Sequence, residues 1–139
     1  SLNPKKINRV YKLMPALIEK SKYLVKKVDK NKYLPVYIFG LGLFGRVALQ
    51  ILRRHNINIT AFLDNNKNFH NKKYLGLKIL NPTQLTKFGN QKLKNLIVII
   101  SIKNQVIANK ICNQLEIYGL NRRNIKKVNW TKVMSRVYT

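Results

Sequence analysis

The sequence predicts an α/β chain built on a doubly wound parallel sheet, and three observations carry that expectation. Val36-Tyr37-Ile38-Phe39 has strand composition and runs straight into Gly40-Leu41-Gly42-Leu43-Phe44-Gly45, after which residues 46–54 read as a helix. Ile57, Ile59, Ala61, Phe62 and Leu63 form a second strand that stops at Asp64. Leu96-Ile97-Val98-Ile99-Ile100-Ser101 is an apolar run ending in a serine, the signature of a strand covered on both faces. Strands alternating with helices give a parallel sheet with right-handed crossovers, in the expected order 3-2-1-4-5.

The first element is a basic amphipathic arm, residues 1–34. Ile7, Val10, Tyr11, Met14, Leu17, Ile18, Leu24, Val25 and Val28 recur at steps of three and four, and lysines fill much of the remaining surface. Pro15 interrupts the pattern and either kinks a helix or starts a second one. The stripe is expected to pack on the sheet or on a partner, and it makes the arm the candidate face for a homodimer.

Residues 35–139 form the nucleotide-binding domain. In its glycine turn Gly40 permits the tight bend, Gly42 lets backbone approach a phosphate, and Gly45 lets helix pack on strand. Leu43 and Phe44, within the turn, join the binding candidates, and the helix that follows points its N–H groups and positive dipole end at the ligand. Asp64 follows Gly40 by 24 positions, near the roughly 20 at which a carboxylate meets a ribose hydroxyl.

Residues 65–76 read as a polar loop, 77–80 as a short strand, and Asn81-Pro82 as the start of a short helix. Residues 104–118 read as a helix with Gly119 at its C-terminal end, 125–128 as a last strand, and the tail as a helix around Trp130, Val133, Met134 and Val137. The crevice over the strand ends then gathers Gly40, Gly42, Gly45, Asp64, Asn65 and Ser101 as ligand-binding candidates, with Lys103 and Asn104 beside them.

The bulk numbers narrow the class. A chain of 139 residues fits one domain and leaves no room for a second, substrate-binding one. One cysteine, Cys112, excludes an internal disulfide and reads as a buried small hydrophobe. No stretch has the length of a membrane span or the form of a signal peptide, so a cytoplasmic location is expected. The net charge is +24, with 28 Lys and Arg against four acids. The cations are spread along the whole chain amid abundant Asn and Ile, which argues against a dedicated nucleic-acid face. The field still favours any phosphate-bearing ligand.

Catalytic constellations are not evident. Tyr23 with Lys27 and Tyr74 with Lys78 match a Tyr-x-x-x-Lys pair, but in so lysine-rich a chain such matches arise by chance. His55 reads as a helix-end residue and His70 as an exposed loop residue. No metal-ligand spacing and no nucleophile–base pair appears. The expectation is a binding domain of a larger enzyme, with no catalytic site of its own.

Phe39-Gly40-Leu41-Gly42-Leu43-Phe44-Gly45, Ile59-Thr60-Ala61-Phe62-Leu63-Asp64-Asn65, residues 74–85 and Ile97-Val98-Ile99-Ile100-Ser101 together resemble a Rossmann-like module. It stands at the N-terminus of bacterial sugar O-acyltransferases and ahead of nucleotide-sugar dehydratases of polysaccharide biosynthesis. The resemblance covers about residues 35–120. It implies a nucleotide, nucleotide-sugar or NAD-type ligand held through Gly40, Gly42, Gly45 and Asp64, with the chemistry in an attached or partner catalytic domain. The acyltransferase repeat and a second catalytic domain are absent here, and the basic arm is foreign to the common pattern. Two alternatives stand beside it: a stand-alone regulatory NAD-binding domain, and an S-adenosylmethionine-binding domain. The latter is weakened by Phe44, where a methyltransferase turn needs glycine.

Overall fold

β1 (Val36–Phe39) lies inside a six-stranded sheet of order β3-β4-β2-β1-β5-β6. The computed structural model describes residues 33–137 (backbone alone at 136 and 137), together with Pro4, Lys5, Lys12, Lys26 and Val28. Most of the predicted arm therefore lies outside the described residues. β1 pairs in parallel with β2 (Ile59–Leu63) and β5 (Ile97–Ile100). β4 (Leu77–Leu80) adds in parallel to β2, and β6 (Ile125–Lys127) to β5. Only β3 (Lys73–Tyr74), on the edge, runs antiparallel, against β4.

Alternation along the central strands builds two cores. Val36 and Ile38 of β1 and Ile97 and Ile99 of β5 face one side; Tyr37, Phe39, Val98 and Ile100 face the other. On the first side lie α1 (Leu43–Arg54) and α4 (Trp130–Val137), which bury Val47, Leu49, Ile51, Trp130 and Val133 there. Val28 of the arm is fully buried in the same cluster. On the second side lie α2 (Asn90–Lys94) and α3 (Gln105–Ile117), which contribute Leu93, Ala108, Ile111 and Leu115. A sheet covered on both faces needs continuously apolar strands, which β1 and β5 have.

Several expectations are corrected. The sheet has six strands where five were expected, because residues 65–76 are not one loop. They hold a 3₁₀ turn (Lys67–Phe69) and β3, joined to β4 by Leu75 and Gly76 at φ 46° and 83°. Positive φ at both central residues is what a two-residue hairpin turn requires. A two-residue strand is too short to show a period, so only Gly76 marked it. The element after Asn81 is a 3₁₀ helix (Pro82–Lys87), capped as expected by the Asn81 side chain on the Thr83 N–H. α2 was not anticipated. The second strand begins at Ile59, after Asn56 closes the preceding helix at φ 61°. Cys112 is buried, as read.

Candidate functional site

The glycine turn sits at the C-terminal end of β1, and its three glycines do different things. Gly40 has φ +107°, in the left-handed region that side chains avoid. Gly45, in the first turn of α1, passes so close to Gly40 that a Cβ there would lie 1.6 Å from the Gly40 carbonyl oxygen. Gly42 is the N-cap, is exposed, and has no protein atom within 4 Å of where a Cβ would stand. The turn is thus locked on its inner side and open on its outer side.

α1 forms because Leu43, Phe44, Val47, Ala48, Ile51 and Leu52 make one apolar face, and Arg53 and Arg54 complement its C-terminal dipole. Its N-terminus carries no acidic residue and no side-chain cap. The first backbone N–H groups of a helix have no partner within it, and its dipole is positive there, so this end attracts anions. Leu43 and Phe44 bring backbone to the turn, while their side chains are buried, at 5% and 8% exposure.

Asp64 stands beside the turn. Its Oδ2 accepts the Leu41 N–H at 2.8 Å and its Oδ1 accepts the Asn66 N–H at 2.8 Å, so one carboxylate braces both the glycine turn and the loop after β2. His70 is not the exposed loop residue that was expected. It is half-buried, with Nε2 at 2.7 Å from the Asp64 carbonyl oxygen. His55 caps the other end of α1, away from the crevice.

Two other candidates are turned to different partners. The Asn65 amide exchanges two hydrogen bonds with Gln114 of α3, at 3.0 and 2.8 Å, and so ties the β2 end to that helix. Ser101 is buried; its hydroxyl donates to the Phe44 carbonyl at 2.8 Å and accepts from Trp130 Nε1 at 2.9 Å. The structure therefore brings Gly40, Gly42, Gly45 and Asp64 together at the C-terminal end of β1, with Gly42 facing open space, Ser101 buried behind the turn and the Asn65 side chain turned to α3.

Arg46 escaped the sequence reading. Its Nε donates to the Leu41 carbonyl at 3.3 Å, and its guanidinium lies 4.8 Å from the centre of the Tyr74 ring. That ring meets Phe62 edge-on at 6.0 Å. Arg46 directly follows Gly45, which was the available signal; its contact with Tyr74 depends on a hairpin invisible in the sequence. Among the described residues no group of three or more His, Cys, Asp or Glu could hold a metal ion. No helix among them is long and apolar enough to cross a membrane. A cavity of about 280 Å³, bordered by Lys94, Arg123 and Lys126, lies at the start of β5, the sheet end opposite the turn.

Fold and site together define an α/β domain with a mostly parallel sheet and a glycine turn open to solvent at Gly42. Residues 32–126 match the family described as C2185-like, N-terminal, and the chain belongs to that family. Among solved structures it is similar to the crystal structure of RSP, a Rex-family repressor, at 15% identity and a TM-score of 0.54. The match covers 76% of this chain and 57% of the repressor, so the chain spans little more than half of that protein. No curated protein matches it.

Proposed function

We propose that this chain is a nucleotide-binding module whose glycine turn holds the phosphates of a dinucleotide of the NAD type. The observation that carries this reading is the open space over Gly42 at the uncapped N-terminus of the 12-residue helix α1. Asp64 supports it. Each carboxylate oxygen keeps a second lone pair after accepting its backbone N–H, so a ribose hydroxyl can still donate to it. The sequence of the parallel strands, β4-β2-β1-β5-β6, is also the order expected of a doubly wound dinucleotide-binding sheet.

The similarity to a repressor favours the regulatory version of this reading over the module of a sugar-modifying enzyme. A regulatory module needs binding and a conformational response, not a catalytic group. A thermal-shift panel of NAD⁺, NADH, NADP⁺, UDP-glucose and S-adenosylmethionine tests it. Ligand at about 100 times its Kd adds roughly 2.7 kcal/mol of stability, a shift of several degrees. NAD⁺ or NADH is expected to give the largest shift. A larger response to UDP-glucose would return the reading to a sugar enzyme, and no response to any of the five would overturn nucleotide binding.

A further inference from the structure

We propose that Ser101 and Trp130 are positioning residues for the glycine turn, and that they tie the C-terminal helix α4 to the phosphate site. Trp130 Nε1 donates to Ser101 Oγ at 2.9 Å, and Ser101 Oγ donates to the Phe44 carbonyl oxygen at 2.8 Å. A serine hydroxyl has one proton. With Trp130 N–H on one of its lone pairs, that proton is aimed at Phe44. Trp130 is fully buried and Ser101 is 2% exposed, so water does not compete for either bond. In such surroundings the two bonds polarise one another along the chain.

The target of the chain is what matters. The Phe44 carbonyl belongs to the same peptide group as the Gly45 N–H, one of the N–H groups at the start of α1 that have no partner within the helix. Holding that carbonyl fixes the plane of the peptide and aims the N–H. Pulling electron density toward the oxygen also makes the N–H a stronger donor to an anion. The rings reinforce the arrangement: Phe44 and Trp130 have centroids 5.0 Å apart, on the same side of the sheet. Gly45 itself has no side chain to hold it; Gly40 presses on it from one side, and Ser101 and Trp130 add a hold on the same peptide from behind. Ser101 was expected to touch ligand; its hydroxyl instead acts on the ligand-facing backbone.

The first readout needs no ligand: amide hydrogen exchange over residues 40–48 in wild type, Ser101→Ala and Trp130→Phe. Trp130→Phe keeps a ring against Phe44 and removes the donor together with part of the indole's volume, a packing loss that the cavity control below accounts for. Both variants are expected to exchange faster at the turn. Leu115→Ala, a cavity in the opposite core, serves as a control of similar or greater global destabilisation and is expected to leave the turn's local exchange unchanged. Unchanged turn exchange in both variants, or equal loosening in Leu115→Ala, would overturn the proposal. The second readout, which rests on the nucleotide-binding reading, is NAD⁺ affinity by calorimetry. Each single variant is expected to lose about fivefold to tenfold, and the double variant no more than either single, because both bonds act through one oxygen. Full wild-type affinity in the variants, or losses that multiply, would also overturn it. A wild type that binds no NAD⁺ would count against the functional reading, while the exchange data still decide the positioning role.

Discussion

At the scale of single residues the three turn glycines separate structure from binding. In Gly45→Ala a methyl group would fall 1.6 Å from the Gly40 carbonyl oxygen, and the neighbour is backbone that cannot swing aside. A loss of at least about 3 kcal/mol is expected, read as a thermal midpoint lowered by roughly 10 °C or as failure to fold. Gly42→Val is the converse. Its φ of −78° suits any residue and its side chain meets open space, so stability within about 0.5 kcal/mol of wild type is expected. If the turn holds the phosphates as proposed, nucleotide affinity should drop at least tenfold, because the valine would occupy their volume. Normal binding by a folded Gly42→Val protein would remove the turn from the site. Tyr37 gives a different test. It is 4% exposed in β1, and desolvation by burial raises the pKa of its phenol above 10.0. The unfolded chain therefore loses this proton first. Its contribution to stability is complete below pH 10 and declines as pH climbs toward the folded-state pKa. Urea midpoints between pH 9 and 11 should fall more steeply for wild type than for Tyr37→Phe; parallel curves would show that burial of this phenol has no such consequence.

At the scale of elements the β3–β4 hairpin holds the clearest strain. Leu75 occupies the first central position of its turn at φ 46°, a conformation costing a branched side chain about 1–2 kcal/mol. Its side chain is 51% exposed, so little burial offsets that cost. Leu75→Asn creates the Asn-Gly pair that this turn favours. The variant is expected to gain about 0.5–1 kcal/mol, visible as a rise of a few degrees in thermal midpoint; an unchanged or lower midpoint would mean that the leucine makes compensating contacts. The same hairpin marks where the sequence stopped being legible. β1, β2 and β5 were readable because each carries a run of apolar residues long enough to define it, and α3 because Asn104 and Gly119 bracket it. β3 and α2 are too short for periodicity to speak. The turn glycines and Asp64 could be placed from spacing alone, since the strand–turn–helix order fixes where backbone must bend. The direction of a polar side chain could not. Asn65 turned to Gln114, and Ser101 to Phe44 and Trp130, because those partners lie 49, 57 and 29 residues away and only the closed sheet brings them near.

At the scale of the whole molecule charge sets an opposition between stability and binding. A net charge of +24 on 139 residues repels itself in the compact state, and four acids provide few internal partners. The surface ion pair between Arg122 and Glu116 is exposed and contributes little. Salt screens this repulsion, the Debye length falling from about 10 Å at 0.1 M to about 3 Å at 1 M. The folded state, which holds the cations closer together than the unfolded chain does, should gain more from screening. The thermal midpoint is therefore expected to rise between 0.1 and 1 M NaCl. A nucleotide responds in the opposite sense. On the nucleotide-binding reading, the field that destabilises the empty domain draws the ligand's di-anionic pyrophosphate to the glycine turn, and the helix dipole at Gly42 adds a local component that salt weakens as well. Affinity for NAD⁺ should fall over the same range, and more steeply for NADP⁺ if its extra phosphate is held by the general field. One salt titration, followed by thermal midpoint without ligand and by calorimetry with it, should thus give slopes of opposite sign. A midpoint that is flat or falls with salt would mean that the basic surface does not repel itself enough to matter. An affinity that is indifferent to salt would mean that the charge of the chain plays no part in recruiting the ligand.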